Sequence, residues 1–420
     1  MNMALSAILW GIPTFSLLVL LHEGGHFAAA RAFGVKVHEF MLGLPGPAIR
    51  IHTKNTAYGI TAIPLGGYVR IAGMEPGPED PLMADALAYV TRLGSGNAAG
   101  LSYALDVDMR RADTLLATLA DWDALSVDEN DRDTYVAKAT PEQADDAPAL
   151  LEAVRQHTYR GQSAWKRVLI LSAGVLVNLA VALGIFVFML TVVGVPTQSL
   201  KLEGVVAKGP AAVAGIVAGD RITSLDGKPL TDWMALLDTL ATHKPGDRVT
   251  VGWIHNGAEK TASVLLDKSD RGTARIGVQA SLENVKVSVG EALKQSLEWI
   301  GMVFQAIGGF FNPRTFQTTV SQSSSIVGAS VEVSRAAAEG PMYFTWIVAL
   351  LSLSLGVINV VPIPPLDGGK IALEIIERIA GRPLPRNFTL GLSVVGTMML
   401  FALIGYLMYS DIVRYVINGG

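Results

Sequence analysis

The sequence predicts a polytopic α-helical membrane protein with four transmembrane helices, a membrane-associated β-hairpin region and a small extracytoplasmic α/β domain. Three observations lead there. Residues 1–21, 168–194, 341–366 and 387–410 are uncharged, and each is long enough to cross about 30 Å of hydrocarbon as a helix. Half of the 420 residues (50%) are hydrophobic and only 17% are charged, where soluble proteins carry about a quarter. Lysine and arginine gather in particular connections between the apolar stretches, the bias that sets membrane topology.

Residues 1–35 hold the first span. No basic stretch opens it and no small-residue cleavage site precedes His22, so it reads as a retained helix rather than a signal peptide. Arg31, Lys36, Arg50, Lys54 and Arg70 follow it, and Lys370, Arg378, Arg382 and Arg386 join the third span to the fourth. Both connections are therefore expected in the cytoplasm. The N-terminus, the second-to-third connection and the C-terminus are then outside, with Arg414 as a contrary vote.

Residues 36–74 are rich in glycine and β-formers, as in Ile60-Thr-Ala-Ile-Pro-Leu-Gly-Gly-Tyr-Val-Arg-Ile71, and predict short hairpins close to the membrane. Residues 75–162 are polar and acidic, with a cluster from Asp121 to Asp133. The spacing of Leu115, Leu116, Leu119 and Trp122 predicts short amphipathic helices, so this stretch reads as a partly ordered cytoplasmic insertion. Residues 163–196 hold the second span, and 197–282 a small α/β domain with glycine turns. In 283–340, Leu293, Leu297, Ile300, Val303 and Phe304 share one side of an amphipathic helix, suited to the interface or to packing on the bundle. The Ser-, Thr- and Val-rich run 315–334 predicts a loop or strand. Residues 341–386 hold the third span and a cytoplasmic loop, and 387–420 the fourth span and a tail. No internal repeat is visible.

Composition narrows the chemistry. The net charge is −4 and no long basic run exists, so a nucleic-acid partner is not expected. With no cysteine in the chain, a metal must be held by histidine and carboxylate.

His22-Glu23-Gly24-Gly25-His26 fits H-E-x-x-H. Residues four apart share a helix face, so both imidazoles can reach one zinc, and Glu23 beside them can act as the base for the water a catalytic zinc activates. A chance match is the alternative. Against it, the motif ends an apolar span, where ionisable residues are expensive and usually functional. Gly24 and Gly25 each weaken a helix by about 1 kcal/mol relative to alanine, which predicts a neighbouring helix or a substrate backbone in close approach. A third ligand leaves one position open for water, and Asp367 is the candidate. It lies in Asn359-Val-Val-Pro-Ile-Pro-Pro-Leu-Asp-Gly-Gly369, whose prolines break the helix at membrane depth, which is tolerated only where backbone is buried or lines a cavity. Asp367 could otherwise be a helix cap. Asn359 could bind a substrate peptide or hydrogen-bond a neighbouring helix.

Together these residues resemble the site-2 protease family, the zinc metalloproteases of regulated intramembrane proteolysis. The segment from His22 to His26 is similar to the family's first motif, and Asn359 to Gly369 to its N-x-x-P-x-P-x-L-D-G motif. Pro64-Leu-Gly-Gly-Tyr-Val69 is similar to its membrane-associated β-loop, and Ala173-Gly-Val-Leu-Val-Asn178 to the small-residue motif opening its second helix. Gly24 stands where the family more often has a larger apolar residue, and 75–160 is longer than its usual connection. The resemblance implies a zinc site of His22, His26 and Asp367 near the cytoplasmic face of a bacterial inner membrane, with Glu23 as base. It implies substrates that are single-span membrane proteins trimmed beforehand, such as anti-sigma factors, or remnant signal peptides. The substrate would lie as an extended strand beside Gly66 and Gly67, with Asn359 as a further contact. Residues 204–230, with Pro210-Ala-Ala-Val-Ala-Gly215 and Gly219-Asp-Arg-Ile222 within Gly204 to Gly227, resemble the core of a bacterial PDZ domain, which could bind a peptide by β-augmentation or exclude bulky substrates. A non-catalytic PDZ-containing peptide receptor and a metal transporter are the rival readings. The complete set of His22, Glu23, His26 and Asp367 argues against the first, and the lack of paired repeats against the second.

Overall fold

The computed structural model describes residues 3–413 except 54, 75–77, 129 and 270–271. Met1, the expected 74/75 boundary and the cations Lys54 and Arg414 lie outside the described residues. The chain divides into two compact units, residues 187–295 and the remainder.

The larger unit opens with α1 (Met3–Ala32). This helix does not stop at the end of the apolar run; it continues ten residues beyond His22, taking Gly24 and Gly25 into its interior with no proline after Pro13. Gly34, at φ 75°, ends it, and the Val35 N–H donates to the Ala30 carbonyl at 2.9 Å, a glycine C-cap. Strands β1 (Val37–Leu42), β2 (Ala48–His52), β3 (Ala57–Thr61) and β4 (Gly67–Ile71) form a sheet in the order β2-β3-β1-β4. β1 and β3 are parallel and the other neighbours antiparallel. The Ser16 hydroxyl donates to the Pro64 carbonyl at 2.6 Å, pinning the β3–β4 loop to α1. Ile49 lies opposite Ile60, and Ile51 opposite Tyr58. All four are exposed, an apolar sheet face of the kind that needs a partner or a bilayer.

The acidic insertion is more ordered than its composition suggests. It contains α2 (Met83–Leu93), β5 (Ser95–Asn97), α3 (Ala98–Leu105), α4 (Met109–Asp121), β6 (Leu125–Val127), β7 (Thr134–Ala137) and α5 (Ala147–Arg155). Leu115, Leu116, Leu119 and Trp122 are buried with Leu87, Val90 and Leu101 in a core of its own. The acidic groups serve local structure. Asp108 accepts the Arg111 N–H at 2.9 Å as a helix cap, and Asp121 accepts the Gly73 N–H at 2.8 Å, which ties the insertion to the end of the β sheet.

Next comes α6 (Ala164–Phe188), closed by a π-helical turn over residues 189–193. The smaller unit holds β8 (Val195–Val205), α7 (Pro210–Val213), β9 (Arg221–Leu225), β10 (Lys228–Pro229), α8 (Trp233–Ala241), β11 (Arg248–His255), β12 (Ala258–Leu265), β13 (Asp267–Lys268), β14 (Ala274–Arg275) and β15 (Val278–Val285). Its main sheet runs β12-β11-β9-β8-β15, around a core that includes Leu200, Ile222, Leu236, Val251 and Trp253. Asn256-Gly257, both at positive φ, make the two-residue turn between β11 and β12. Asp220 is buried; it accepts the Val217 N–H at 2.9 Å and pairs with His255 Nδ1 at 2.8 Å.

The chain then forms α9 (Val289–Gly308), α10 (Phe316–Gln322), α11 (Ile326–Glu339), α12 (Pro341–Val360), α13 (Asp367–Ala380) and α14 (Arg386–Ile412). On α9, Ile300 and Val303 pack with Trp299 against Phe186 and Trp346, whereas Leu293, Leu297 and Phe304 stay exposed. The run 315–334 is helical, not a loop or strand. Its β-branched residues favour strands only weakly, and tertiary contacts override them: Asp411 of α14 accepts the Ser325 N–H at 2.6 Å and the Gly328 N–H at 3.2 Å at the start of α11, while Ser334 donates to Ser6 of α1 at 2.6 Å. The third apolar helix ends at Val360, short of the expected residue 366, because Pro362, Pro364 and Pro365 interrupt it. Among the described residues, four helices, over Leu5–Ala32, Ala164–Val193, Pro341–Val360 and Arg386–Ile412, are long and apolar enough to cross a membrane. Along α14, Val394, Val395, Met398 and Phe401 are exposed, as lipid-facing side chains would be.

Candidate metal centre

The continuity of α1 puts His22 and His26 on one face, one turn apart. Asp367 comes from the far end of the chain, as the first residue of α13 immediately after the proline segment. The three side chains are buried, and their ligating atoms lie within 4.8 Å of one another. His22 Nε2 is 2.9 Å from Asp367 Oδ2, His26 Nε2 is 3.1 Å from the same oxygen, and the two Nε2 atoms are 3.2 Å apart. Two nitrogens bound about 2.05 Å from one tetrahedral ion would be about 3.3 Å apart. Two imidazoles and one carboxylate, converging at that spacing with no thiolate, suit zinc with one position left open.

Small residues make the convergence possible. A Cβ on Gly25 would lie 2.5 Å from the Ala173 carbonyl oxygen, so this glycine lets α1 approach α6 closely. Gly24 has nothing within 4 Å of its Cβ position; of the two glycines, Gly25 is the one that meets a neighbouring helix. A Cβ on Gly174 would stand 2.5 Å from His26 Nε2 and 2.8 Å from His22 Nε2. On the Asp367 side, a Cβ on Gly368 would overlap the Val360 carbonyl and one on Gly369 the backbone nitrogen of Pro364. These two glycines let α13 fold back against the end of α12.

α6 also holds the imidazoles. His26 Nδ1 donates to the Ile170 carbonyl at 2.7 Å, and Asn178 Nδ2 is 3.3 Å from His22 Nδ1. Ser352 of α12 donates to the Asn178 backbone carbonyl at 2.9 Å. Gly174 and Asn178 belong to a stretch that sequence reasoning treats only as small-residue packing. The available signal is Asn178 itself, a polar side chain inside an otherwise apolar span.

Glu23 is partly buried and lies next to β4. A Cβ on Gly67 would be 3.8 Å from Glu23 Cγ. Gly66 has φ 85°, and β4 ends the order β2-β3-β1-β4, so an edge strand runs beside this carboxylate. Asn359 is half-buried, and its amide donates to the Leu355 carbonyl of its own helix at 2.9 Å. Lys370, one turn into α13, is 3.5 Å from Asp367 Oδ1, the oxygen directed away from the histidines.

The model of peptidase family M50 matches residues 10–403 of the chain. Zinc metalloprotease RasP of Geobacillus kaustophilus is 26% identical over 424 residues, covering 98% of this chain and 99% of its own length. Zinc metalloprotease RasP of Oceanobacillus iheyensis is 27% identical over 420 residues, covering 96% and 98%. Among solved structures, the PDZ domain of the SdrC-like protein of Listeria monocytogenes is 28% identical and covers 20% of this chain and 90% of its own, with a TM-score of 0.19.

Proposed function

The chain belongs to peptidase family M50 and is a membrane zinc metalloprotease, and from that premise we propose that it hydrolyses peptide bonds in the transmembrane segments of single-span proteins already trimmed by another protease. Anti-sigma factors and remnant signal peptides are the substrate classes. His22, His26 and Asp367 hold the zinc, and Glu23 is the general base. What supports this assignment above all is the convergence of His22 and Asp367, 345 residues apart in sequence, at 2.9 Å in a buried site.

Zinc bound there would supply a Lewis acid that polarises the scissile carbonyl and makes water acidic enough to yield a nucleophile near neutral pH. Glu23 takes the proton from the attacking water and returns it to the leaving amine. A helical substrate hides its carbonyls in its own hydrogen bonds, so the substrate must be extended at the point of attack. The free edge of β4 beside Glu23 offers backbone groups for such a strand, with Gly66 and Gly67 keeping side chains out of the way. Asn359 contacts the substrate only if its amide leaves the Leu355 carbonyl.

The arginines and lysines after the first apolar helix and between the third and fourth support a cytoplasmic side for those connections, and for the metal site near them, in a bacterial inner membrane. The 187–295 unit then lies outside, as a PDZ-like module that takes a peptide or the trimmed end of a substrate.

The test compares wild type with Glu23→Gln in liposomes, measuring zinc content and cleavage of a single-span reporter. The proposal expects about one zinc in both, as a three-ligand site requires, and cleavage by wild type alone. Equal cleavage by both would remove Glu23 from the mechanism. Zinc in both with cleavage by neither would favour a non-catalytic peptide receptor.

A further inference from the structure

A histidine that gives its Nε2 lone pair to a metal carries its proton on Nδ1, and that proton needs an acceptor if the ring is to stay in one orientation. His26 has one, the Ile170 carbonyl at 2.7 Å from Nδ1. His22 Nδ1 faces instead the side-chain amide of Asn178, with Nδ2 at 3.3 Å. In that orientation the amide donates to Nδ1, and the His22 proton sits on Nε2, pointing at Asp367 Oδ2 at 2.9 Å. This arrangement suits a histidine–aspartate hydrogen bond and blocks the lone pair a metal requires. Asn178 Oδ1 is buried with no hydrogen-bond partner among the described residues, so no contact on that side holds the amide in this orientation.

An amide presents oxygen and nitrogen at nearly equivalent positions. A half-turn of the Asn178 amide puts Oδ1 where Nδ2 stands, pairs that oxygen with the Nδ1–H of His22 and frees Nε2. Building on the reading of His22 as a zinc ligand, we propose that Asn178 is the positioning residue for His22: its Oδ1 accepts the Nδ1–H and so selects the tautomer that binds the metal. The side chain is well placed to hold a fixed direction. Its backbone carbonyl is tied to Ser352 at 2.9 Å, and a Cβ on Gly356 of α12 would meet Asn178 Cβ at 3.3 Å, so α12 packs directly against it. Both imidazoles are thereby oriented from one helix, by the Ile170 backbone and the Asn178 side chain, with Gly174 leaving room between them.

The experiment measures zinc affinity of the full chain in detergent by competition with a chromogenic chelator, for wild type, Asn178→Leu, Asn178→Asp and His22→Ala. Circular dichroism and the melting temperature of the metal-free proteins monitor the fold, and Asn178→Ala replaces the leucine variant if leucine does not fold. Losing a partner of this kind weakens metal binding by about 10–100-fold, and that is the expected result for Asn178→Leu. Asn178→Asp keeps the acceptor and is expected to bind zinc about as well as wild type. A purely packing role would make the buried aspartate at least as harmful as leucine. Wild-type affinity in Asn178→Leu, or equal losses in the leucine and aspartate variants, overturns the proposal. Unchanged zinc binding in His22→Ala overturns the underlying ligand assignment instead, so the two failures are distinguishable.

Discussion

Arg167 and Glu374 form an ion pair that joins the start of α6 to α13. Glu374 is buried, and Asp367 lies about two turns before it on the same helix. The pair therefore fixes the helix that carries one proposed ligand against the helix that orients the other two. Tyr159 adds its hydroxyl, 3.5 Å from Glu374 Oε2. Removing one partner of a buried pair costs about 3–5 kcal/mol, because the other charge is left unpaired; the part-exposure of Arg167 puts this pair at the lower end. Arg167→Met should thus lower the melting temperature and loosen zinc. Combining it with Glu374→Leu should restore much of the stability. If the double variant melts no higher than the single one, the pair is not what couples the helices.

A methyl group on Gly174 has nowhere to go. Gly174→Ala places it against both imidazoles, so the expected outcome is loss of bound zinc and of activity with the helices intact, as read by metal analysis and circular dichroism. Gly24→Ala is the matched control. Its Cβ position is open, and alanine favours a helix by about 1 kcal/mol over glycine, so that variant should keep its zinc. Zinc retained in Gly174→Ala would mean that the helices separate more easily than their packing indicates.

The difference between these two glycines shows what a sequence can carry. The i, i+4 spacing of His22 and His26 is a local property of any helix, and the proline break before Asp367 is equally local, so both were readable. Which glycine faces α6, and that Gly174 and Asn178 face the imidazoles, depends on how α1 and α6 cross, which local pattern does not encode. The same holds for 315–334, where helix formation depends on Asp411, far along the chain. The insertion's core was half legible: the spacing from Leu115 to Trp122 gave the helix face, but the partners Leu87 and Leu101 lie on other elements.

Strand addition at β4 has its own test. Gly67 opens β4 opposite Leu42, close to Glu23. Proline there removes a backbone N–H and is tolerated in sheets only at edges; its Cβ would also lie 2.9 Å from the Met41 carbonyl oxygen, so the melting temperature is read alongside to show that β1 and β4 stay paired. Gly67→Pro should therefore slow reporter cleavage about 10-fold or more, in line with about 1.4 kcal/mol of lost transition-state binding, while zinc content stays at the wild-type level. Unchanged kinetics would separate the β4 edge from substrate binding.

Acid should loosen the acidic insertion before it reaches the helices. Arg111 of α4 grips Asp80 with two hydrogen bonds, Nε to Oδ2 at 2.8 Å and Nη2 to Oδ1 at 2.9 Å. This holds the Asp80 carboxyl below the usual carboxylate range. A folded-state pKa below the unfolded value of about 3.9 means that the unfolded chain takes up the proton first. The stabilisation is therefore complete above that value and is lost as pH falls through the lower folded one. Pepsin digestion of the full chain in detergent, from pH 5 down to pH 2, reads this directly. Wild type should become sensitive within 78–160 toward the acid end. Asp80→Asn should already be more sensitive at pH 5 and change less on acidification. The opposite order, with wild type the more sensitive at pH 5, would show that the Arg111 contact contributes nothing to the fold of the insertion.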